Sequence, residues 1–195
     1  GYKPGDILAT LALNTHRHLE AYYGISGIGA ITHTLNFRLH PEQAVYIINH
    51  AEDKVIFVEA PFIPLLEALQ DKIPSVEKFI VFCDKEEMPE TSLKNCVSYE
   101  EYIEDGDDNF EWPKLPDDAA CGLCYTSGTT GNPKGVLYSH KSTILHAISA
   151  AAPKTLKVQP DDSSLVVVPM FHVMAWGVPY YCLLYTSDAA DDMQC

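Results

Sequence analysis

Three short apolar runs recur along the first half of the chain with helical spacing between them, and that alternation constrains the fold more than any other feature. Ile7–Leu13 (ILATLAL) follows the turn signal Pro4-Gly5-Asp6 and reads as a buried strand. Lys54–Glu59 (KVIFVE) and Lys78–Cys83 (KFIVFC) are rich in β-branched and aromatic residues and read the same way. Between the first two, His16–Ile28 places Leu19, Tyr22, Tyr23 and Ile25 at helical spacing. Pro41 opens a second helix, Glu42–Ala51, from the first-turn position where a missing N–H costs nothing. Pro61–Lys72 reads as a third helix. Strands alternating with helices predict βαβ units, hence an α/β fold with parallel-rich sheets and flanking helices.

The second half continues the theme after an interruption. Asp84–Asp118 is acidic and punctuated by proline, and is expected to be a solvated connection carrying one short helix. Cys121–Thr126 then reads as a strand, His140–Ala152 as a helix and Ser164–Pro169 (SLVVVP) as a strand. Gly24-Ile-Ser-Gly27-Ile-Gly29 has glycines in the order G-x-x-G-x-G after a helix. A dinucleotide fingerprint needs G-x-G-x-x-G after a strand, so close packing at a helix end is the expected role.

Composition removes several function classes. With 13 Lys and Arg against 27 Asp and Glu, the formal net charge of −14 argues against a nucleic-acid binder, which needs a basic face. No apolar run approaches the ~20 residues that span a bilayer. The six cysteines (83, 96, 121, 124, 182 and 195) lack the spacing of a secreted disulfide scaffold. Cys121-Gly-Leu-Cys124 is formally C-x-x-C, but no second ligand pair follows, so core cysteines on a strand are expected rather than zinc or redox ligands. His16, His18, His33, His40, His50, His140 and His146 are scattered without metal spacing, and surface or capping roles are expected for them.

The chemistry concentrates in Cys124–His140 (CYTSGTTGNPKGVLYSH). Gly128, Gly131 and Gly135 give the backbone freedom to turn N–H groups toward one point. Thr126, Ser127, Thr129 and Thr130 add hydroxyls, and Lys134 adds a mobile cation. Donors of this kind after a strand suit a phosphate chain. A Walker A loop is excluded because Lys134 precedes Gly135 rather than following it. A nucleophile elbow is excluded because Ser127 has Tyr125 and Thr129 two residues away, where glycines are needed.

Tyr125-Thr-Ser-Gly-Thr-Thr-Gly-Asn-Pro-Lys-Gly135 resembles the phosphate loop of the adenylate-forming enzymes: acyl-CoA synthetases, peptide-synthetase adenylation domains and firefly-type luciferases. Asn14-Thr-His-Arg-His-Leu-Glu20, His33-Thr-Leu-Asn36 and His50-Ala-Glu-Asp53 resemble the medium- and long-chain fatty-acyl-CoA synthetase branch, as does Val168-Pro-Met-Phe-His-Val-Met-Ala-Trp-Gly177. Two positions depart from it: relatives usually carry asparagine at Met174 and proline at Phe37, the latter change being expected to alter only a turn.

The resemblance implies a partial N-terminal AMP-binding domain over residues 1–181. It implies a ligase that uses ATP, Mg²⁺ and CoA. Thr126 would hold Mg²⁺, while Ser127, Gly128, Thr129, Thr130 and Gly131 with Lys134 would cover the β- and γ-phosphates. His172 and Val173 would lie near the acyl-adenylate, and Trp176 would line or gate an acyl tunnel. The implied partners are a fatty acid, ATP and CoA, in a cytoplasmic enzyme without a membrane span and compatible with a homodimer. No catalytic residue is expected in this stretch, and no turnover is expected from it alone. Two alternatives remain: a ligase for another carboxylate, such as a short thioether acid (or a luciferase or peptide-synthetase relative), and a non-catalytic polypeptide. Residues 182–195 are expected to be non-native, because Cys182–Asp192 (CLLYTSDAADD) resembles a translated sequencing adapter.

Overall fold

The computed structural model describes residues 1–107, 109–126, 132–159 and 161–184. A seven-stranded sheet forms the middle layer. Its strands are β1 (Ile7–Leu11), β2 (Ile31–Thr34), β3 (Val55–Val58), β4 (Lys78–Val81), β5 (Cys96–Ser98), β6 (Ala120–Thr126) and β7 (Lys134–Ser139), in the order β5-β4-β3-β1-β2-β6-β7. Every neighbouring pair is parallel except β6–β7.

Alternating side chains of the strands feed two cores. On one face Leu8, Val55, Phe57, Ile80 and Phe82 pack with Ala21 and Ile25 of α1 (His16–Gly27) and with Tyr99 of α4 (Tyr99–Ile103). On the other, Ala9, Leu11, Ile56, Val58, Phe79 and Val81 pack with Ile47 and Ile48 of α2 (Pro41–Ala51) and with Ile63 and Leu66 of α3 (Ile63–Leu69). Burial on both faces is why these strands read as continuous apolar runs. The expected α/β sheet with flanking helices is therefore the fold found.

Local signals act as anticipated at several places. Pro41 stands at the start of α2, and the His40 imidazole accepts from Glu42 N. Gly27 closes α1 at a point where a β-carbon would stand 2.1 Å from the Trp112 ring, and Gly29 takes φ +83° against Leu115 and Pro4. Cys121 and Cys124 are buried free thiols, beside the hydroxyls of Thr143 and Thr34 respectively.

Five expectations are corrected. Pro61–Lys72 is not one helix: 3-10 turns over Ala60–Phe62 and Gln70–Lys72 flank α3, and Pro64, which has no N–H to continue a ladder from the first turn, stands in the opening turn of α3. Asp84–Asp118 holds strand β5 as well as α4. His18 and His33 are not at the surface but fully buried, because each finds polar partners inside the fold: Leu13 O and Thr10 Oγ1 for His18, Asp53 for His33. Ser164–Pro169 joins no ladder among the described residues, and Leu165 and Val167 are 89% and 78% exposed. Phe37 does more than alter a turn. Its ring stacks on Phe62 at 4.9 Å and meets Phe171 edge-on at 4.7 Å.

Candidate functional site

The chain runs from β1 to β2 on one side and then returns to place β3 on the other side of β1. In open parallel sheets, ligands lie outside the carboxyl ends of strands at such a reversal. β6 lies parallel beside β2, with Thr34 opposite Cys124, so its carboxyl end opens onto that edge. There β6 and β7 form a hairpin whose last pair is Thr126 opposite Lys134. The two residues expected to serve metal and phosphate thus face each other at the hairpin mouth. Both are exposed, and among the described residues Thr126 Oγ1 donates a long 3.5 Å bond to Lys134 O. Ser127, Gly128, Thr129, Thr130 and Gly131 lie outside the described residues.

Gly135 acts differently from the expected loop hinge. It is a strand residue opposite Tyr125, and a β-carbon there would stand 3.2 Å from Tyr125 Cζ and 3.1 Å from Leu123 Cδ1. Its lack of a side chain gives room to the tyrosine ring.

The second part of the site is the segment 164–177. Asn14, just past β1, fastens it: Nδ2 donates to Val166 O at 2.9 Å and to Val168 O at 3.0 Å, and Oδ1 accepts from Met170 N at 2.7 Å. Thr34 Oγ1, at the end of β2, donates to Phe171 O at 3.0 Å, and the Tyr22 hydroxyl donates to Met170 O. The chain then enters a left-handed turn. Val173, Met174, Ala175 and Trp176 have φ of 49°, 51°, 49° and 57°, and Gly177 follows at 81°. Each non-glycine residue there costs roughly 1–2 kcal/mol. The turn is held by His172 N to Pro169 O and Ala175 N to His172 O, and by His146 Nε2 against Trp176 O at 3.0 Å. It buries Met174 and Ala175 and turns Trp176 outward, 64% exposed.

Beside the turn is an apolar cavity of about 340 Å³, whose walls include Tyr138, His146, Val173, Met174, Trp176 and Tyr180. Of the three expected acyl-site residues, Val173 and Trp176 reach this cavity, while His172 is exposed outside its lining. Met174, noted in the sequence as a departure from the branch, reaches the cavity too, while Tyr138, His146 and Tyr180 were not anticipated. His146 has a readable signal only in retrospect, since it lies one turn after Ser142 on α5 (His140–Ala151), and both line the cavity.

The electrostatics suit an apolar pocket rather than a nucleophile. Burial raises the Cys124 thiol, despite hydrogen bonding that opposes it, and so keeps it protonated. Burial also lifts the Tyr22 and Tyr180 phenols well above their ordinary value. No cluster of three or more His, Cys, Asp or Glu able to hold a metal occurs among the described residues. The Thr126 hydroxyl, with that long bond, fits a Mg²⁺ ion bound chiefly by phosphate oxygens and water, which is how that ion is usually held.

Among solved structures this arrangement is that of a CoA ligase α/β domain. Anthranilate CoA ligase in complex with anthranoyl-AMP superposes with a TM-score of 0.79 at 25% identity, covering 92% of this chain and 35% of that one. The chain belongs to the AMP-binding enzyme family, which matches residues 1–187. It is 48% identical over 180 residues to a medium-chain-fatty-acid–CoA ligase of Ectopseudomonas oleovorans, covering 92% of this chain and 33% of that protein. It is 47% identical over 187 residues to a 3-methylmercaptopropionyl-CoA ligase of Ruegeria pomeroyi, covering 96% and 35%. The chain therefore spans about a third of the length of the curated relatives it matches. No helix among the described residues is long and apolar enough to cross a membrane.

Proposed function

We propose that this chain is part of an acid–thiol ligase that joins a fatty acid to CoA at the expense of ATP, with residues 1–181 belonging to its large AMP-binding domain. The observation that carries the reading is the hairpin mouth, Thr126 opposite Lys134, on the same sheet edge as an apolar cavity of about 340 Å³. In the first half-reaction a carboxylate oxygen bonds to the α-phosphorus of ATP and the bond to pyrophosphate breaks. In the second, the CoA sulfur bonds to the acyl carbon, AMP leaves and the thiol proton passes to solvent. The first half-reaction needs no protein nucleophile; it needs two anions brought together and charge neutralised along the phosphate chain.

Lys134 supplies a mobile cation for the β- and γ-phosphates, which Ser127, Gly128, Thr129, Thr130 and Gly131 would cover with it. Thr126 would hold Mg²⁺, which when bound neutralises phosphate charge. Val173 and Trp176 line the cavity for the acyl chain, and His172 stands at its approach. A second reading, a short thioether acid as substrate, is favoured by the Ruegeria pomeroyi relative. Pyrophosphate exchange by the complete ligase with acids of graded length decides between them. A maximum at medium or long chains supports the fatty-acid reading, and a maximum at 3-methylmercaptopropionate overturns it.

A further inference from the structure

Two strings singled out in the sequence, His33-Thr-Leu-Asn36 and His50-Ala-Glu-Asp53, have no part in the chemistry above, yet the fold brings three of their side chains to one place. His33, on β2, and Asp53, just beyond α2, are both fully buried, and His33 Nδ1 lies 2.9 and 2.8 Å from the two carboxylate oxygens. The left-handed Glu52, at φ 58°, turns the chain out of α2 and delivers Asp53 to that position. The Tyr125 ring stands next to the pair, its centroid 5.1 Å from the His33 ring. The Tyr125 hydroxyl and His50 Nδ1 share a hydrogen bond of 2.6 Å, and His50 stacks in turn on Tyr46 at 5.4 Å. Beneath the ring lies Gly135, where a β-carbon would stand 3.2 Å from Tyr125 Cζ.

Tyr125 is therefore held by residues of β2, α2 and β7, and it immediately precedes Thr126, the last described residue before the glycine loop. β7 is the end strand of the sheet, and Lys134, Gly135, Val136 and Leu137 are exposed along it. A two-stranded hairpin has little rigidity of its own. What fixes the mouth of this one is the attachment of β6 to its neighbours. A binding loop displaced by about 1 Å loses much of its effect on a reacting group.

We propose that Tyr125 is a positioning residue for the hairpin mouth: hydrogen-bonded to His50 and seated between Gly135 and the buried His33–Asp53 pair, it latches the mouth to α2 and so fixes where Thr126 and Lys134 meet a polyphosphate. The inference rests on the polyphosphate reading of the loop. Tyr125 acts through Thr126, its neighbour at the mouth, and through the strand pair that sets Lys134 opposite it. The phenol is pushed up to about 12, chiefly by burial, so the hydroxyl stays protonated across the working pH range.

Calorimetric titration of the complete ligase with MgATP alone tests the latch without any acid present. Tyr125→Phe keeps the ring and deletes the hydroxyl. It should raise the Kd for MgATP about 2- to 10-fold, the worth of one neutral hydrogen bond, with the KM for the acid unchanged. His50→Ala should weaken MgATP by a similar factor, and His50→Gln, which keeps an acceptor, should restore most of it. The double variant Tyr125→Phe/His50→Ala should bind no more weakly than either single one, because both remove the same contact. His50 is exposed on α2, so its variants carry the test if Tyr125→Phe fails to fold. Single variants that bind like the wild type, effects that multiply in the double variant, or a parallel rise in the acid KM would each overturn the latch. A wild-type ligase that binds no MgATP would sink the polyphosphate reading and the latch together. Wild-type binding with unaltered variants removes the latch alone.

Discussion

Strands β1, β3 and β4 and the segment from Ser164 to Gly177 are built by opposite rules. The strands place β-branched and aromatic side chains on two faces, both covered by helices, and every described backbone group there has a ladder to join. The segment has no ladder among the described residues. Its position comes from side chains reaching across more than a hundred residues, from Asn14, Tyr22 and Thr34, and it ends in a left-handed turn that most residues avoid. Regular packing gives the domain its stability. The strained edge, tied by hydrogen bonds, turns Trp176 outward and gives the apolar cavity its wall.

The largest expected effect belongs to the packed core and is seen in acid. Burial holds the His18 imidazole neutral and lowers its pKa to about 4. The unfolded state binds the proton first, so stability is complete above about pH 6.5 and falls as pH drops toward 4, by up to ~3 kcal/mol. Denaturant midpoints measured from pH 7 to pH 4 should show that decline, and His18→Gln should flatten it.

At the edge, Asn14→Ala removes three hydrogen bonds to the backbone of residues 166–170. About 1–3 kcal/mol of stability should go with them, and amide exchange should quicken in residues 164–172 well before it does in β1–β4. Equal quickening in both regions would erase the contrast.

One substitution made in both places should differ in effect. Ala9→Gly, in fully buried β1, deletes a packed methyl and loosens the unfolded chain, and should destabilise by ~1 kcal/mol. Ala175→Gly, at an equally buried site, carries the same loss but relieves a left-handed residue at φ 49°, roughly 1–2 kcal/mol, and should on balance be neutral or stabilise by up to ~1 kcal/mol. Thermal or denaturant melts compare the two directly. The smallest stability effect is expected at Trp176, 64% exposed: Trp176→Ala should move the melting temperature little while shifting the preferred acid length in the complete ligase. A core tryptophan would instead cost roughly 3–5 kcal/mol.

The same contrast explains what could be read in the sequence. Ile7–Leu13, Lys54–Glu59 and Lys78–Cys83 announce themselves because burial on both faces demands apolar residues throughout. β2 does not, because ITHT places two threonines and a histidine in a fully buried strand, where His33 Nδ1 finds its partner in Asp53 twenty positions away. β5 is short and lies within an acidic stretch, and β7 begins with Lys-Gly and is largely exposed. Ser164–Pro169 has a strand's sequence without a strand's neighbour. At the site, Thr126 and Lys134 stand in one long motif and Val173 and Trp176 in another, which is why they could be named as candidates from the sequence. Tyr138, His146 and Tyr180 reach the cavity only through the packing of α5 and of α6 (Val178–Leu184) against the left-handed turn, which no local pattern encodes. Met174 shows the difficulty plainly: it sits at φ 51°, in a conformation that asparagine tolerates better.

The central claim is that the hairpin mouth binds the phosphate chain of ATP. ATP–pyrophosphate exchange by the complete ligase tests it most directly, comparing wild type with Lys134→Ala at saturating acid. Loss of the cation facing Thr126 should slow exchange about 10- to 1000-fold. An exchange rate equal to that of the wild type would contradict the account.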